Sequence, residues 1–126
     1  MVQSLNASLS TGKVFTLYTR GGSSNLLDYS KQMLNLTNTG KYEFIGPTGI
    51  DKKSKGKWSL AINNTQLILT DSSNPLASMT FTLDSFSAAG LYVTHHAKET
   101  LILQSAGIDS QGANQVDYAF NYVPAK

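Results

Sequence analysis

His95-His96 is the one place in this chain where two imidazoles stand together, and Glu99 follows three residues later. On a strand, neighbouring side chains point to opposite faces, so the pair cannot grip one ion unless the backbone bends. The chain holds no cysteine, which removes thiolate metal sites, disulfides and cysteine nucleophiles. The two histidines therefore read as polar residues near a hairpin turn, and neither a metal nor a cofactor is expected. Serines and threonines are abundant, yet none sits in a G-x-S-x-G elbow. Gly21-Gly22 opens no phosphate-binding G-x-x-x-x-G-K-[ST] loop. Asp84 and Asp117 fall on the polar, outward phase of their alternations, which is the wrong side for paired glycosidase carboxylates. The reading is of a protein that is not an enzyme.

Aromatic side chains are the remaining candidates. Tyr42, Phe44, Trp58, Phe81, Tyr118 and Phe120 share the inward phase of their segments and are the expected ligand contacts, with Phe15 and Tyr122 beside them. Burying one large apolar side chain contributes about 1.5–3 kcal/mol, so the same residues are also what a domain of this size needs for a core. Inward tyrosines add a hydroxyl that wants a partner, from the protein or from a ligand.

Alternation of period two dominates the elements that must carry these residues, with turn residues every 8–12 positions or so. Lys13 to Arg20 alternates Phe15 and Leu17 against Thr16 and Tyr18. The segment Gly21 to Ser30 breaks the pattern and predicts a long, mobile connection in which Ser24 could cap a short helical turn. Leu34 and Leu36 then lead into Asn38-Thr39-Gly40, and Tyr42 and Phe44 lead out, which is hairpin chemistry with glycine supplying a positive φ. In "KWSLAINNTQLILT", Trp58, Leu60 and Ile62 share an inward face before a two-residue Asn63-Asn64 turn, and Leu67 and Leu69 follow. Met79, Phe81 and Leu83 alternate with Thr80, Thr82 and Asp84. "GLYVTHH", "ETLILQSA" and "QVDYAFNYV" complete nine strand candidates, the last placing Val116, Tyr118, Phe120 and Tyr122 on one face.

The 126 residues suit one domain, expected as an N-terminal tail 1–12, a β-barrel 13–123 and a C-terminal tail 124–126. Sequential hairpins imply an all-β, antiparallel up-and-down meander, and closing it into a small barrel of 8–9 strands removes exposed edges. A two-sheet β-sandwich is the alternative. The net charge of +2 is too small to suggest nucleic acid as partner. The cluster Lys52, Lys53, Lys55 and Lys57 has no interleaved aromatics to stack bases. No apolar run approaches the ~18 residues of a membrane span. Only 14% of residues are charged, against roughly 25% in an average soluble domain, a balance found in many secreted β-proteins. "MVQSLNASLS" has no signal-peptide pattern, so export would need a targeting segment ahead of it.

The order "LNLTNTGKYEF" (Leu34 to Phe44), "GKWSLAINNTQLILT" (Gly56 to Thr70) and "MTFTLDSFSAAGLYV" (Met79 to Val93) resembles the lipocalin-like domains of small exported proteins from Bacteroidetes-type bacteria. Those domains carry a similar F-N-x-D-G-x-Y hairpin, then a G-x-W-S-L strand paired with L-x-L-x, then Y-x-I-x-x-L. The resemblance covers roughly Lys13 to Val123. It implies a barrel that holds a small apolar or amphipathic molecule in its mouth, with Gly21 to Ser30 as a gate. The other expectation is a protein or glycan interaction module that uses the loops Gly46 to Lys55 and Gly107 to Asn114 on a filled barrel. Residue types do not specify an oligomeric state.

Overall fold

Residues 2–9, expected as part of a tail, form a strand paired on both sides, one place in from the edge of the sheet. The computed structural model describes residues 1–47, 53–74, 78–97, 101–109, 112–113 and 115–124. In chain order the strands are β1 (Val2–Leu9), β2 (Val14–Thr19), β3 (Met33–Leu36), β4 (Lys41–Ile45), β5 (Ser54–Ala61), β6 (Gln66–Asp71), β7 (Ser78–Ser87), β8 (Gly90–Ala97) and β9 (Val116–Tyr122). A short helix, α1 (Leu101–Ser105), precedes the last of them. Strand β1 pairs with β2 on one side and β9 on the other. Its inward residues Val2, Leu5, Ala7 and Leu9 are fully or almost fully buried. Their spacing of three, two and two reflects a register shift between Val2 and Ser4, which hides the strand from a period-two reading.

The nine strands make one antiparallel sheet in the order β2-β1-β9-β8-β7-β6-β5-β4-β3. That is a cyclic meander, with the first and last strands paired and one junction left open, between β2 and β3. The sheet curls into a half-barrel over a single core, so the all-β meander is present and the two-sheet alternative is not. Tyr118, Leu5, Leu17, Leu67, Leu69 and Leu103 are among the fully buried side chains. The chain from Arg20 to Gln32 crosses the open junction as a strap.

Several local expectations change. "ETLILQSA" does not form a strand: Glu99 lies outside the described residues, and α1 occupies 101–105. The helix ends at Gly107, whose φ of 74° lets its N–H reach Gln104 O at 3.0 Å while Ile108 N–H reaches Leu103 O at 2.9 Å. This paired glycine stop is written in the sequence as Ala106-Gly107-Ile108 after an apolar run. At β2, the register passes from Leu5↔Tyr18 to Asn6↔Thr16, leaving Leu17 as an extra residue. Leu17 and Tyr18 are consequently both buried, where strict alternation separates them. The β5–β6 turn is also longer than Asn63-Asn64. Ala61 pairs with Gln66, and Ile62, Asn63 and Asn64 all have positive φ. Thr65 Oγ1 donates to Ile62 O at 2.6 Å and ties the turn. Ile62 is thereby lifted out of the interior to 66% exposure, and Leu60, paired with Leu67 near the end of the strand, is 37% exposed.

Candidate functional site

The expected ligand contacts do not gather around one cavity. Tyr42, Phe81, Tyr118 and Phe120 are buried in the core, while Phe44 and Trp58 pack on its margin. Trp58 lies across from Leu69, and its indole Nε1–H donates to Thr37 O at 2.8 Å, so its polar edge is spent on the β3–β4 hairpin. Tyr42 OH is 3.4 Å from Ser54 Oγ. These aromatics act first as filling, because inward faces of a tightly curled sheet meet each other before they leave space for a guest.

Space opens instead at the junction between β2 and β3. Arg20 donates from Nε to Val2 O at 2.9 Å and from Nη2 to Ser30 O at 3.0 Å. Asn25 bonds both the N–H and the C=O of Thr19, and Leu27 N–H reaches Leu17 O at 3.2 Å. The strap is therefore tied at Arg20, Asn25 and Leu27, and it carries no helical turn where Ser24 could have capped one. Tyr29 enters the core edge-on to Phe120, with ring centres 6.1 Å apart, and Phe120 stacks on Tyr122. Gln32, 3% exposed, donates from Nε2 to Tyr122 OH at 2.8 Å. Burial pushes the Tyr122 phenol far above its ordinary value, the neighbouring Tyr29 adds to the rise, and the Gln32 hydrogen bond only partly opposes it.

Above Tyr29 the strap, α1 and the exit of β4 enclose an open cleft of about 460 Å³. Leu27, Tyr29, Pro47 and Ile102 provide apolar wall, and Asp28, Lys31 and Ser105 the polar rim. Hydrogen bonds from Ser30 hold the Asp28 carboxyl below its ordinary value. Sequence reasoning missed this site because its apolar residues come from a segment with no periodicity and from a helix read as a strand. The loop candidates Gly46 to Lys55 and Gly107 to Asn114 lie partly outside the described residues.

Among the family models, the curated proteins and the solved structures, none matches this chain. Among the described residues, no helix is long and apolar enough to cross a membrane.

The histidines separate as strand alternation requires. His95 turns inward, edge-on to Phe81 with ring centres 5.5 Å apart. His96 turns outward, its Nε2 2.8 Å from Thr82 Oγ1 and its Nδ1 2.6 Å from Asp117 Oδ1. Hydroxyl, imidazole and carboxylate thus stand in the order of a nucleophile, its base and an orienting group. They lie, however, on an exposed outer face, and Thr82 sits between ladder partners Gln66 and Thr94, where backbone N–H groups are committed to pairing. What the arrangement does is tie β7, β8 and β9 together. Partial burial pushes the Asp117 carboxyl up, but hydrogen bonds from Gln115 and His96 and the imidazole's charge outweigh it and leave a net depression. A depressed carboxylate contributes stability above its ordinary value of 3.8, and that contribution is lost as pH falls through the lowered value. Melting followed by circular dichroism should show the wild type losing more stability between pH 5 and pH 2 than Asp117→Asn, by under about 1 kcal/mol because the pair is exposed. Parallel acid slopes would show that the tie contributes nothing.

Proposed function

We propose that this protein binds a small amphipathic molecule, without catalysis, in the cleft between the strap and α1. The observation that carries this reading is a recess of about 460 Å³ at the unpaired junction of the meander, walled by apolar side chains from three separate stretches of chain. Its volume lies within the roughly 300–1,000 Å³ of small-molecule sites, whose usual makeup is apolar wall with a few polar groups. An apolar body would rest on Leu27, Tyr29, Pro47 and Ile102, and a polar head would meet Asp28 and Lys31. The resemblance to exported bacterial lipocalin-like domains supports the same reading, a ligand held at the mouth, with the strap cleft in place of the aromatic lining as its contact surface.

Native mass spectrometry of the purified chain, followed by thermal-shift titration with fatty acids and sterol acids, tests it. A ligand at about 100 times its Kd adds about 2.7 kcal/mol of stability. Ile102→Trp, which enlarges a half-buried side chain on the cleft wall, should weaken binding at least about tenfold, with near-ultraviolet circular dichroism of the ligand-free variant confirming that it folds. No retained molecule and no shift, or binding indifferent to Ile102→Trp, would remove the cleft as the site.

A further inference from the structure

On the side of the sheet opposite the core, β1, β9, β8 and β7 turn a row of short polar side chains outward. Cross-strand register aligns Ser4 with Asn121, Asn121 with Tyr92, and Tyr92 with Ser85. The next outward row runs from Asn6 through Ala119 and Thr94 to Thr82. Because Ser4, Asn6 and Ala119 are small, these strands leave an open groove of about 390 Å³ across the outer face. A register shift between Leu83 and Ser85 makes Asp84 an extra residue, so Asp84 and Ser85 both reach the groove. Thr94 Oγ1 donates to Asp84 Oδ2 at 2.7 Å and fixes that carboxylate.

Two features separate this groove from an ordinary polar sheet face. Tyr92 stands on it at 46% exposure, offering an aromatic surface to solvent where the neighbouring positions are Ser, Asn and Thr. Asn121 Oδ1, in the groove wall, is shut off from solvent and has no hydrogen-bond partner. That acceptor is a polar group the fold leaves unmet beside the groove, while the rest of the Asn121 side chain contributes to the lining.

We propose that the groove binds a neutral glycan, one or two pyranose units at a time. A pyranose has an apolar C–H face suited to the Tyr92 ring and an equator of vicinal hydroxyls suited to paired amide, hydroxyl and carboxylate groups, here Asn121, Asn6, Ser85 and Asp84. The charge pattern selects against acidic sugars, since the lining includes Asp84 and neither lysine nor arginine. A protein partner would need about 800 Å² per side, which a narrow trough with one exposed aromatic does not supply. This inference does not rest on the strap cleft, and the two sites lie on different faces of the sheet.

Isothermal titration of the full chain with cello-, malto-, manno-, xylo- and β-1,3-gluco-oligosaccharides, and with oligogalacturonate as the acidic control, tests the proposal. At least one neutral series should bind with a Kd between about 10 μM and 1 mM, and oligogalacturonate should not. Tyr92→Ala should weaken that binding at least about tenfold, Tyr92→Phe should keep it, and Ile102→Trp in the strap cleft should leave it unchanged. Amide chemical-shift changes on titrating wild type should centre on Ser4, Asn6, Ala119 and Asn121, which keeps the test decisive if Tyr92→Ala fails to fold. Absence of binding to every neutral series, binding of the acidic control alone, or shift changes located elsewhere would overturn it.

Discussion

A chain beginning at Ser10 is expected to lose cooperative folding altogether. Strand β1 lies between β2 and β9, and its removal strips both of a ladder partner along their length. It also takes Val2, Leu5, Ala7 and Leu9 out of the core, where each is 4% exposed or less. At about 1.5–3 kcal/mol for each large apolar side chain, Val2, Leu5 and Leu9 together contribute about 5–9 kcal/mol, comparable with the 5–15 kcal/mol that stabilises a whole domain. The strap loses an anchor as well, since Arg20 Nε donates to Val2 O. Near-ultraviolet circular dichroism and a thermal melt of the truncated chain would read the loss directly. Adding a synthetic peptide of residues 1–12 should restore a cooperative transition, because a strand can be supplied in trans by the same main-chain hydrogen bonds. A native-like melt of the truncated chain would mean that these residues are the tail their composition suggests.

Gly56→Ala is expected to destabilise the protein by about 3 kcal/mol or more. Strand β5 pairs at this residue with Asp71 on one side and Tyr42 on the other, and just beyond, Ser72 N–H and Oγ both donate to Lys55 O. The two strands approach so closely there that a Cβ on Gly56 would overlap the Thr70 carbonyl oxygen and come within 2.9 Å of Ser72 N. The atoms met are all backbone of Thr70 and Ser72, with no flexible side chain to yield, so the ladder between β5 and β6 must shift, and overpacking of this kind costs about 1–3 kcal/mol or more. Gly112→Ala is the matched control. Its φ of 77° is strained for alanine, but among the described residues beyond its chain neighbours no atom lies within 4 Å of the added carbon, so only about 1–2 kcal/mol of backbone cost is expected. Urea melts of the two variants separate steric from conformational effects, and equal losses would refute the close approach at Gly56.

Legibility in the sequence followed the regularity of the strands. Val116, Tyr118, Phe120 and Tyr122 are buried as their alternation demands, because β9 pairs along its length with β1 and, without a register shift, with β8. The Asn38-Thr39-Gly40 hairpin forms with Gly40 at φ 82°, since its turn chemistry is local. Where a register shift adds a residue, in β1 and at Leu17, the period changes phase and the pattern misleads. Where an apolar run is as short as 101–105, period alone does not separate helix from strand, and only the glycine stop marks the helix.

By itself, then, the amino-acid order determined an all-β antiparallel meander and which face of most strands turns inward, because side-chain alternation and turn residues act over a few positions. Tertiary structure decided what no local rule contains. Curling brought the aromatic faces into contact, so that residues whose types suited either a core or a ligand serve as core. Closing β1 onto β9 left the opening at the strap, and cross-strand register put Tyr92 beside Asn121 and His96 beside Asp117, residues 29 and 21 positions apart in the chain. Both candidate surfaces depend on such distant pairings, whose partners are chosen by burial of the whole core.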